Sequence, residues 1–124
     1  MRAIKINPTD RTIEEVDVRN PNKSLQDLHG LIGCSLVQLI ELDREIILVC
    51  DEEAKCKQIT GAFTFYGNES LVIAGNAIIL GGDGDRFKTL HENKASFEKI
   101  IEWVAPEDVP DPKITFIPLT NERN

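Results

Sequence analysis

The chain has 124 residues, enough for one domain with a real core and little room for a second. Its formal net charge of −7 is spread along the chain. Residues 1–62 hold eight basic and eleven acidic side chains, and residues 63–124 hold six and ten. That balance argues against a nucleic-acid backbone binder, which needs a basic stripe, and suits a protein that docks on a basic partner, although plain solubility accounts for it more simply.

The three cysteines, Cys34, Cys50 and Cys56, form no CxxC. Cys34 and Cys50 sit in apolar runs, where cysteine behaves as a small hydrophobe, so a reduced cytoplasm is expected. The opening MRAIKINPTD does not read as a signal peptide, and no apolar run reaches the roughly 18 residues of a membrane span.

Taken in order, Arg2–Ile6 alternates with Ile4 and Ile6 on one face, Asn7–Asp10 is a turn, and Thr12–Val18 returns, which predicts an antiparallel hairpin. Ser24 is a candidate N-cap, with Asp27 as a weak capping-box partner. Leu25, Leu28, Leu31 and Ile32 then predict a short amphipathic helix stopped by Gly33. Cys34–Leu42 and Glu45–Cys50 around Asp43-Arg44 read as a second hairpin, more apolar than the first and hence central.

Ala62–Tyr66 alternates as a strand and Gly67–Glu69 turns the chain. Leu71–Asp85 is an apolar run broken only by Gly75 and Asn76 and ended by Gly81-Gly82-Asp83-Gly84-Asp85. Its part Ala77–Leu80 reads as a mid-sheet strand buried on both faces. Lys88–Val104 reads as mostly helical, with Phe97, Ile100, Ile101 and Val104 on one stripe and Trp103 on its flank. From Ala105 the prolines 106, 110, 112 and 118 make an arm in which Lys113–Ile117 could form one strand, paired in its own chain or in a neighbour's.

The segments MRAIKINPTDRTIEEVDV, LQDLHGLIGCSLVQLIEL, EIILVCDEEA, FTFYG and IAGNAIILGGDGD follow one another in an order that resembles a family of small uncharacterised proteins carried by bacteriophages, plasmids and integrated elements. The likeness covers about residues 1–85. It implies a mobile-element accessory protein in a bacterial cytoplasm and brings no reaction, cofactor or catalytic residue.

The glycine loop lacks both Walker and GxGxxG spacing, and its aspartates would repel phosphate. Asp83 and Asp85 supply a DxD pair without the further ligands of a calcium loop, so a turn is favoured over a weak metal site. His29 and His91 read as surface residues. Cys56, between Lys55 and Lys57, is the best candidate nucleophile but has no evident base.

Phe63, Phe65 and Tyr66 could form a stacking platform, but the i, i+2 spacing favours Phe63 and Phe65 on a strand's inward face with Tyr66 pointing outward. Asn76 beside Gly75 marks a bulge or a close approach.

The expectation is an α+β domain over residues 1–104 and an arm over 105–124. Its fold is a mainly antiparallel, twisted sheet of five to seven strands, with a short helix and a C-terminal amphipathic helix, in a homo-oligomer. The expected function is non-enzymatic binding of a host or defence protein, without a cofactor, metal, membrane or nucleic-acid backbone. The alternative is a protein that sequesters a signalling nucleotide, using Phe63, Phe65, Tyr66, Asn76 and Arg86 in an oligomer groove, with Arg86 facing the phosphate; Asp83 and Asp85 complete the candidate ligand residues as a loop beside Arg86.

Overall fold

A computed structural model describes residues 1–83 and 85–110. Among these, every strand pairing is antiparallel. The first hairpin forms as β1 (Arg2–Asn7) and β2 (Thr12–Asp17). The helix α1 (Gln26–Ile32) follows, closed by Gly33 at φ 83, whose N–H donates to the His29 carbonyl at 2.8 Å. Its start lies past the expected cap. Ser24 Oγ accepts the Gln26 N–H at 3.2 Å, and Asp27 turns back to accept the Arg19 N–H at 3.0 Å.

The second hairpin is β3 (Val37–Asp43) and β4 (Ile46–Asp51), joined through Glu45 at φ 61. Only β4 is central, and β3 forms an edge. In the six-stranded sheet the order is β2-β1-β7-β4-β3, with β7 (Ala77–Gly82) between β1 and β4, as its apolar run predicts. Alternation sorts its side chains. Ile78 and Leu80 meet Leu28 and Ile32 of α1, while Ala77 and Ile79 join the core on the opposite side. Each such fully buried isoleucine or leucine contributes about 1.5–3 kcal/mol relative to exposure. The short β8 (Phe87–Lys88) pairs with the end of β7.

That opposite face is covered by a second sheet rather than by a helix. It has three strands in the order β6-β5-β9: β5 (Ala62–Phe65), β6 (Asn68–Ala74) and β9 (Ile101–Val104). Two expectations are corrected here. The run from Leu71 is two strands in different sheets, and Gly75, at φ 79, turns the chain between them. The helix expected over Lys88–Val104 reduces to α2 (Lys94–Glu98). Ile101-Glu102-Trp103-Val104 satisfies a period of two as well as the helical stripe, and pairing with β5 decides it, Phe63 lying opposite Trp103.

The layers are therefore α1, the six-stranded sheet and the three-stranded sheet. Residues 105–110 leave β9 through a tight turn at Pro106–Asp108, and the strand expected at Lys113–Ile117 lies outside the described residues. No helix among the described residues is long and apolar enough to cross a membrane.

Candidate functional site

The residues expected to hold a ligand do not converge. Phe63 and Phe65 pack edge to face, ring centroids 5.7 Å apart, inside the core between the sheets. Phe63 is fully buried, and Phe65 is 6% exposed and lines one surface cleft, so the two rings present no shared open face. Tyr66 points outward and is 72% exposed.

Asn76 lies in the crossing between the sheets and lines a polar hollow with Thr9, Asp51, Lys57 and Thr60. Asp83, Asp85 and Arg86 belong to the turn between β7 and β8. There Asp83 Oδ1 accepts the N–H groups of Asp85 at 3.0 Å and Arg86 at 3.2 Å, and these bonds hold its carboxyl below the usual aspartate range. A carboxylate so engaged shapes a turn.

The other chemistry is equally dispersed. Among the described residues no group of three histidine, cysteine or acidic side chains is placed to hold a metal ion. His29 is half-buried on α1, and His91 is exposed just before α2. Cys56 is exposed, but the neighbouring Lys57 ammonium donates to Asp51 Oδ2 at 2.7 Å, a bond that raises the lysine pKa. Burial, assisted by the Asp51 carboxylate, raises Cys34 and pushes the Cys50 thiol up to about 11. Both thiols therefore ionise less readily than a free cysteine.

What the fold does assemble is an open seam. Stacking the two sheets brings β3 and β6 to the same side of the molecule. One cleft there, of about 280 Å³, is lined by Gln38, Ile40, Lys55, Leu71 and Ile73. Another, of about 290 Å³, is lined by Leu42, Ile46, Tyr66, Phe97 and Ile100. Each has β3 as one wall and the β5–β6 hairpin as the other, so the two form successive parts of one seam.

Ile40, Leu42, Ile46 and Leu71 are half-buried and pack on the core from this side. The exposed large hydrophobics of the described residues are Leu36 at 50%, Leu39 at 46%, Tyr66 at 72% and Ile100 at 37%. Leu36 and Leu39 lie on β3 and its approach, Leu39 on the α1 side of the sheet in a hollow with Ile47, Arg86 and Phe87. Tyr66 and Ile100 line the second cleft, and the Tyr66 N–H donates to the Ile100 carbonyl at 2.7 Å. Exposed Glu41, Asp43, Glu52, Glu53 and Glu69 stand on the strands and turns around them.

Leu36 and Leu39 escaped the sequence reading because the second hairpin looked uniformly apolar. Gln38, Glu41 and Asp43 were the available signal, since β4 has no such interruption between Ile46 and Cys50.

A family described as a domain of unknown function, DUF3846, matches residues 1–104. The chain belongs to that family. It is similar to protein PsiB of Rhizobium leguminosarum bv. phaseoli, 38% identical over 63 residues that are 51% of this chain and 46% of that protein. It is also similar to the uncharacterized protein y4iR of Sinorhizobium fredii, 34% identical over 74 residues, 60% of this chain and 43% of the relative. The matched regions span less than half the length of either relative. No solved structure matches. Family membership agrees with the resemblance to uncharacterised proteins drawn from the sequence.

Proposed function

We propose that this chain is a non-enzymatic accessory protein of a phage or other mobile element, and that it docks on a host or defence protein through the seam between β3 and β6. One observation carries this reading. Exposed Tyr66 and Ile100 and half-buried Leu42 and Ile46 gather on one cleft of that side, with half-buried Ile40 and Leu71 on the next. Scattered exposed leucines need no explanation, whereas apolar residues grouped beside open clefts and rimmed by charge are a feature of protein-binding surfaces.

The net charge of −7 supports a partner with basic character. The mobile-element setting rests on the likeness of residues 1–85. The nucleotide-sequestering alternative loses support, because Phe63 and Phe65 are core residues and Arg86 lies in a different turn from Tyr66.

The test places a photo-crosslinking residue at Ile100 or at Tyr66, with Glu14 on β2 as the control, in cells of a bacterial host. The expected result is a discrete adduct with one host protein from both seam positions and none from Glu14. Equal adducts from all positions, or adducts from Glu14 alone, would contradict the proposal.

A further inference from the structure

One wall of the seam is exposed backbone, and that narrows what it can hold. Among the described residues β3 pairs only with β4. The Leu36 carbonyl accepts the Glu52 N–H at 3.1 Å, so the backbone of Leu36 faces β4. Antiparallel alternation then turns the N–H and C=O groups of Val37, Leu39 and Glu41 to the outer side, where they form an open ladder.

Sheet edges of stable monomers are commonly guarded by charge, bulges or cover. The opposite edge, β2, is guarded in this way, with Thr12, Glu14, Glu15 and Asp17 exposed along it. Leu36 and Leu39 leave the β3 ladder flanked by exposed apolar side chains instead. Only its far end is blunted, where the register slips between Glu41 and Asp43 and a bulge ends the regular edge.

We propose that the outer edge of β3 is a strand-addition site for an extended segment of a partner protein, apolar at alternate positions and basic at its flanks. This deepens the seam-docking function proposed above and rests on it. On the added strand, a side chain opposite Ile40 would project to the seam side and one opposite Leu39 to the α1 side, so residues apolar at alternate positions all reach the seam when they stand in register with Ile40.

Charge selects the flanks. Between Leu36 and Lys57 the chain carries Glu41, Asp43, Glu45, Asp51, Glu52 and Glu53 against Arg44, Lys55 and Lys57. Lys57 is already bound to Asp51. Glu52 stands beside Leu36 at one end of the ladder, and Glu41 and Asp43 stand at the other. Main-chain bonds supply affinity in this mode of recognition, while side-chain contacts and charge supply selection.

The experiment uses the full isotope-labelled chain and a short peptide of alternating valine and threonine with paired lysines at each end. A glutamate-flanked peptide is the comparison. The lysine-flanked peptide should bind about 10-fold more tightly, with the difference shrinking at high salt and the amide signals of Val37, Leu39 and Glu41 shifting most. Leu39→Pro deletes an outward N–H without removing a bond to β4, and should weaken the peptide about 10-fold. Combined Glu52→Lys and Glu53→Lys, on exposed positions, should erase most of the preference for lysine.

Binding indifferent to flank charge and to these variants overturns the proposal. So does protection of the Val37 and Leu39 amides before peptide is added. A dimer by sedimentation would then assign the edge to a second copy, and Overhauser contacts from residues 113–117 would assign it to the chain's own C-terminal segment. Crosslinks from Tyr66 without peptide binding would overturn strand addition and leave seam docking standing; the loss of both would remove both.

Discussion

Asn22 and Phe87 hydrogen-bond in both directions. Asn22 Nδ2 donates to the Phe87 carbonyl at 2.9 Å, and the Phe87 N–H donates to Asn22 Oδ1 at 2.7 Å. The side-chain amide thereby acts as a one-residue strand beside β8 and ties the link before α1 to the turn after β7. Asn22→Ala should lower the unfolding free energy by about 1–2 kcal/mol, measured by urea denaturation, since both bonds are lost at an exposed site. An unchanged midpoint would remove this tie from the account.

Gly61 and Gly30 should respond to alanine in opposite directions. A Cβ on Gly61 would lie 2.6 Å from the Pro8 carbonyl carbon and oxygen, backbone atoms that cannot rotate away. Gly61→Ala should therefore cost about 1–3 kcal/mol. Gly30 sits inside α1 with nothing within 4 Å of its Cβ position, so Gly30→Ala should stabilise by about 0.5–1 kcal/mol. Thermal melts of the two variants decide the matter by their sign.

Thr64 is the buried polar side chain of the described core. Its hydroxyl lies 2.8 Å from the Leu71 carbonyl and 3.1 Å from that of Asn68, where the register of β6 slips against β5. Thr64→Val keeps the shape and leaves those carbonyls without their donor, an expected loss of about 1–3 kcal/mol in chemical denaturation.

The thiols should separate by reactivity. At neutral pH a small alkylating reagent should modify exposed Cys56 first, half-buried Cys34 slowly, and Cys50 only on unfolding, as read by mass spectrometry. Because the folded Cys50 thiol is raised to about 11, its proton-linked stability is fully present below the unfolded thiol value of about 8.5 and declines as the pH rises toward the folded one. Cys50→Ala should flatten that alkaline decline.

Much of the fold was legible where the signal is local. Ile4 and Ile6 with the Asn7–Asp10 turn, Gly33 after Ile32, and the unbroken Ile46–Cys50 and Ala77–Leu80 runs each declare their element through periodicity or turn chemistry. The second sheet was not legible. Leu71–Ala74 looks continuous with Ala77–Leu80 until Gly75 turns the chain, and Ile101–Val104 becomes a strand through its pairing with Ala62–Phe65, a long-range contact.

The site follows the same division. The outward direction of Tyr66 is written in the alternation of β5. The exposure of Leu39 follows from β3 standing last in the order β2-β1-β7-β4-β3, which no local pattern encodes.

Amide hydrogen exchange of the full chain, with and without the host protein captured by crosslinking, tests the central claim most directly. Seam docking predicts new protection concentrated at Val37–Glu41 and around Tyr66 and Ile100, with α1 and β2 unchanged. Protection centred on α1, on β2 or on the turn from Asp83 to Phe87, with β3 still exchanging freely, would contradict it.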